Sequence, residues 1–111
     1  FHSPYLKTAA AELAAALSAT HFAPPRFPIY ANATAAPVGD VATNLGEQLV
    51  NPVRFAATLE AMAAAGVDTF VHVGPGDVTA GMVKRTVPDV RVLVVSVLDD
   101  IPPVAEALNV Q

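Results

Sequence analysis

The sequence contains no cysteine. That excludes disulfides, thiolate nucleophiles and cysteine-based zinc sites, and it is compatible with the cytoplasm, the localisation expected here. Charge is scarce as well: Asp, Glu, Lys and Arg make up 14% of the 111 residues. So few charges leave little to cover a surface, as expected of a piece of a larger body. The net charge of −4 offers no bulk attraction for nucleic acid. Long apolar runs are missing too; the longest, at 92–98, is far too short to span a membrane. What is abundant is hydrophobic side chain, 53% of the total. That is too much for a disordered segment and enough for one domain with a modest core.

Periodicity predicts alternating helices and strands. Leu6, Ala10, Leu13 and Leu17 recur at helical spacing and predict a helix over 4–20, with Ser3 as N-cap and Pro4 in the first turn. Pro24-Pro25 closes that region. Residues 26–32 read as a short strand despite Pro28. Asp40 is placed to cap a helix running to about Val50, and Asn51-Pro52 to start the next, with Phe55, Leu59 and Met62 facing inward. Gly66 is a natural stop. A β-branched strand at 67–73 precedes a Gly-Pro-Gly turn, a helix over about 78–85, an apolar strand at 90–97 and a last helix near 102–109. The pattern is α/β, with short, mostly parallel strands alternating with helices.

Three histidines are present: His2, His21 and His72. Their spacing is not that of a metal site, and no metal is expected. His21, beside the proline-rich stretch, reads as solvated. His72 reads either as a packed strand residue or as a group at a cleft mouth, since strand ends line ligand sites. Ser3, Ser18 and Ser96 lie outside any G-x-S-x-G elbow, so a nucleophile for a histidine base must come from elsewhere. Gly74-Pro75-Gly76-Asp77 at a helix start admits an anion cradle, although it lacks the full phosphate signatures and Asp77 opposes an anion. The competing reading is a tight turn capped by Asp77. The elbow at 47–55 leaves helix-end carbonyls unpaired, one of which is able to orient a histidine brought close in space.

Four stretches in order resemble the malonyl-CoA:acyl carrier protein transacylase family: FHSPYL, FPIYANATAAPV, EQLVNPVRF and VHVGPGDVTAGMVKR. The last matches the family form G-P-G-x-V-L-x-G-L-x-K-R, with two departures. His72 stands where the family often has Glu or Gln, and Thr79 where it has Leu. The resemblance implies that residues 1–111 are the C-terminal segment of one α/β-hydrolase-like acyltransferase domain. The serine elbow, the malonyl-binding arginine, the oxyanion-hole loop and the small ferredoxin-like subdomain would be absent. It implies that His2 is the general acid/base for a serine in the missing N-terminal part, oriented by the backbone carbonyl of Gln48. It also implies that Phe1 favours malonyl over methylmalonyl by filling the space beside the acyl C2. Malonyl-CoA and acyl carrier protein are the implied substrate and partner, with no cofactor and no membrane. The segment alone is expected to be inactive. A polyketide synthase acyltransferase domain is the alternative, disfavoured because such domains usually carry Asn where Gln48 stands; a non-catalytic interaction fragment is another.

Overall fold

The computed structural model describes residues 1–109. They form two compact units, the first Phe1–Ala61 and the second beginning at Met62.

In the first unit, Ser3 caps a 3₁₀ turn, Pro4–Leu6, with its Oγ accepting from the Tyr5 N–H. Helix α1 follows as Lys7–Ser18. The expected stripe holds: Leu6, Ala10, Leu13 and Leu17 are half-buried while the residues between them are exposed. Helix α2, Val41–Gln48, packs against α1. Gly46 faces Leu17 across this contact, where a Cβ would lie at an ordinary 4.0 Å from Leu17 Cδ1. The strand expected at 26–32 shrinks to β1, Tyr30–Ala31, which pairs antiparallel with β2, Ala36–Pro37. Pro28 lacks the N–H that a longer ladder needs. This hairpin is a separate small sheet, so of the three strands expected only the later two share a sheet.

Helix α2 stops at Gln48, and α3 spans Phe55–Ala64, three residues later than expected. Asn51 does not cap α3. Its Nδ2 instead donates to Glu47 O at 2.7 Å, closing α2. Arg54 opens α3: its carbonyl accepts from both the N–H and the hydroxyl of Thr58. Gly66, at φ 95, ends the helix in a Schellman arrangement, with Val67 N–H on Met62 O and Gly66 N–H on Ala63 O.

The second unit is a β-α-β module. Strand β3, Thr69–Val73, pairs parallel with β4, Arg91–Val95, and α4, Val78–Thr86, connects them. Ala80 and Val83 of α4 are buried, and α4 packs on both strands. Lys84 and Arg85 occupy its last turn, where the helix dipole favours them. Asp77 precedes α4 but makes no side-chain cap. Beyond β4, Asp100 Oδ2 accepts from the Ser96 and Val97 N–H groups at 2.8 and 3.0 Å. A short turn, Leu98–Asp100, then leads into α5, Ile101–Ala107, which packs on β4. The α/β class expected from the sequence is borne out; its strands are one parallel and one antiparallel pair. The core is sparse: Ala31, Leu59, Ala80 and Val83 are the buried apolar residues described, whereas Val73 is 74% and Leu98 81% exposed.

Asp40 caps α2 as expected, accepting from the Thr43 N–H at 2.7 Å. Hydrogen bonds from the Thr43 hydroxyl and then its N–H hold the Asp40 carboxyl below the ordinary carboxylate range. Folding therefore releases a proton as pH falls into that range. The cap's contribution is whole above the unfolded-state pKa and is lost as pH drops through the lower folded one. Asp40→Ala is expected to lower the melting temperature by a few degrees at neutral pH. The difference from wild type should shrink in acid; a difference independent of pH would contradict a charged cap.

Candidate functional site

The site in the first unit begins with an unfinished helix. The last four carbonyls of any α-helix lack intrahelical partners. At the end of α2, Glu47 O takes the Val50 and Asn51 N–H groups and the Asn51 side chain. The next two carbonyls take His2. Its backbone N–H donates to Leu49 O at 2.9 Å, and its ring Nδ1 lies 2.9 Å from Gln48 O. His2 makes both contacts from a left-handed backbone, φ 61. Histidine is among the non-glycine residues that tolerate this region best.

The Gln48 oxygen is an acceptor only, so Nδ1 must carry the proton and donate. The Gln48 side-chain amide lies 3.1 Å from the same nitrogen. One nitrogen cannot donate to the backbone oxygen and also accept from an NH₂ group. The two contacts are compatible when the amide presents its oxygen to Nδ1–H. In that tautomer Nε2 keeps its lone pair. His2 is exposed, and Nε2 makes no hydrogen bond among the described residues. The arrangement is that of a base with one nitrogen anchored and the other free.

Among the described residues of the first unit, neither serine hydrogen-bonds the His2 ring: Ser3 Oγ accepts from the Tyr5 N–H and Ser18 Oγ donates to Ala15 O. Phe1, beside His2, is 93% exposed. Gln48 also lines a recess with Ile29, Ala31, Val41 and Leu45. Among the described residues no group of three or more His, Asp or Glu is placed to hold a metal. His21 is exposed.

His72, in the second unit, has a different setting. Its Nε2–H donates to Gly74 O at 3.1 Å, and the Thr79 hydroxyl donates to its Nδ1. Both nitrogens are engaged, so the packed reading of His72 holds. The sequence did not foretell the partner: the two departures from the family pattern are in contact with one another. Ser96 completes the turn by accepting from the Gly76 N–H at 2.9 Å. Gly74 and Gly76, at φ 139 and 81, take backbone shapes that side chains disfavour. The loop is held by His72 on one arm and Ser96 on the other. That is the tight-turn reading, without the Asp77 cap.

No family model matches the chain. Individual relatives do. A malonyl CoA-acyl carrier protein transacylase of Bacillus subtilis is 35% identical over 99 residues, covering 86% of this chain and 31% of the relative. The crystal structure of an acyl-carrier-protein-S-malonyltransferase from Bartonella henselae superposes with a TM-score of 0.92 at 30% identity, over 99% of this chain and 36% of that one. A malonyl-transacylase in complex with its type II PKS acyl-carrier protein matches at TM-score 0.90 and 30% identity, over 96% of this chain and 35% of that one. The chain spans about a third of the length of the relatives it matches. The family resemblance carried by the four motifs is thereby borne out. Among the described residues, no helix is long and apolar enough to cross a membrane.

The His72–Thr79 contact makes a measurable statement. Thr79→Val leaves Nδ1 of His72 without its donor, and His72→Phe removes the acceptor. The double variant should be more stable than the sum of the single losses allows, by about 0.5 kcal/mol or more in a denaturation cycle. Strict additivity would show that the two side chains do not interact.

Proposed function

We propose that this chain, which shares the sequence pattern and fold of one third of the malonyl-CoA:acyl carrier protein transacylase family, supplies the acid/base histidine of such an enzyme. The observation that carries the proposal is His2 anchored through Nδ1 on Gln48 O, with Nε2 open. A serine from the remaining, N-terminal part of the enzyme would meet that nitrogen. The sparse core and the exposed apolar side chains support a chain that is completed by further polypeptide.

In the proposed reaction, Nε2 of His2 takes the serine Oγ proton as Oγ attacks the malonyl thioester carbon. The C–S bond to coenzyme A breaks, and the imidazolium returns its proton to the departing thiolate. The phosphopantetheine thiol of the carrier protein then gives its proton to Nε2 and attacks the malonyl-serine ester. The C–O bond breaks and serine recovers its proton. Through both halves Gln48 O holds the ring and faces the imidazolium that forms. A neutral carbonyl thus takes the place that an aspartate holds in a full triad. The relative solved with an acyl-carrier protein supports a carrier protein as partner. Phe1, adjacent to the base, would crowd a branch methyl on the acyl C2. A cytoplasmic setting, where malonyl-CoA and carrier protein meet, belongs to the same reading, as does inactivity of the segment alone.

The test is intact mass spectrometry of the complete enzyme after incubation with malonyl-CoA. One malonyl adduct is expected on the polypeptide holding the serine. His2→Ala should lower the labelling rate by roughly 10²–10⁴-fold. Labelling at the wild-type rate in His2→Ala would overturn the assignment. Phe1→Ser should improve methylmalonyl transfer relative to malonyl by about 10–200-fold. An unchanged ratio would remove Phe1 from the specificity argument.

A further inference from the structure

Gln48 O is free for a histidine only because nothing else takes it. In a continuing helix the carbonyl of residue 48 would accept from the N–H of residue 52. Residue 52 is proline and has no N–H. Its ring also clashes with the carbonyl four residues back in helical geometry, and it pushes the residue before it out of the helical region. Helix α2 ends at Gln48 for those reasons. The nearer donors are occupied, since the Val50 and Asn51 N–H groups both go to Glu47 O. The following carbonyl, Leu49 O, would have accepted from Val53 and instead takes the His2 N–H.

We infer that Pro52 is a positioning residue for the acid/base histidine. By withholding one N–H it leaves Gln48 O vacant, and that vacancy selects the Nδ1–H tautomer of His2. The four-residue spacing of Gln48 and Pro52 is the helical hydrogen-bond spacing, so acceptor and missing donor form a matched pair. Pro52 makes no hydrogen bond to His2, so its effect on the base runs through Gln48 O. The catalytic consequence rests on His2 being the base; the tautomer consequence does not.

The test uses the complete enzyme with ¹⁵N-labelled imidazoles, read by long-range ¹H–¹⁵N correlation spectra. Free histidine favours the Nε2–H form, so a dominant Nδ1–H signal for His2 is the expected wild-type result. Pro52→Ala restores an N–H that competes for Gln48 O. The Nε2–H form of His2 should then become the major one, and a slowly exchanging amide should appear at position 52. Replacing Pro52 by lactic acid, whose ester linkage has neither the ring nor an N–H, should keep Nδ1–H dominant. Three outcomes would each overturn the inference. They are a wild-type His2 in the Nε2–H form, a Pro52→Ala spectrum unchanged from wild type, and loss of Nδ1–H in the ester variant. The ester variant decides the matter even where Pro52→Ala does not fold. In the complete enzyme Pro52→Ala should lower kcat more than it raises KM. A complete enzyme that transfers no malonyl while these spectra behave as expected would sink the functional reading and leave the role of Pro52 standing.

Discussion

Helix α2 has to end, and the carbonyls left over at its end need donors. The arrangement of the first unit's site depends on that one constraint. Gln48 O and Leu49 O point out of a terminated helix, and His2 answers both, one through its ring and one through its backbone. The left-handed backbone at His2 costs about 1–2 kcal/mol. Each of its two hydrogen bonds contributes about 0.5–1.5 kcal/mol net. These magnitudes nearly balance. One such bond is of the same size as the strain, and the two together offset it.

The two engaged histidines show how neighbours decide what an imidazole is able to do. His2 faces oxygens at Nδ1 and nothing at Nε2, which leaves a basic nitrogen exposed. His72 donates from Nε2 to Gly74 O and accepts at Nδ1 from Thr79, which leaves no nitrogen to spare. The first is poised for proton transfer and the second ties a loop. Residue type and strand or loop position did not separate them; their acceptors and donors do.

Much of the local structure was legible in the sequence because it follows from nearest-neighbour chemistry. The stripe of α1, the Ser3 and Asp40 caps, the Gly66 stop and the basic last turn of α4 all appear as read. Tertiary competition explains the misses. Asn51 has the composition of an N-cap, yet its side chain finds a nearer acceptor in Glu47 O, behind it in the chain. Asp77 precedes α4, and its carbonyl accepts from the Gly81 N–H, but its side chain makes no cap. The strand at 26–32 yields to a two-residue hairpin, since β2 carries no signal of its own in Ala36-Pro37. Gln48 was reachable through the family resemblance alone. The interaction that matters is made by its backbone, which every residue shares, and spacing cannot mark it.

Strands β3 and β4 pair with each other and with no other strand among the described residues. Each therefore keeps a row of backbone donors and acceptors along its outer edge, beside the exposed side chains of Val71 and Val73. Parallel strands of this composition are normally interior, and apart from Arg91 at the start of β4 they carry no charged side chain or proline to blunt a sheet edge. Prepared by itself, this polypeptide would be a template for its own copies. Its working concentration in solution would be set by strand addition between molecules sooner than by unfolding.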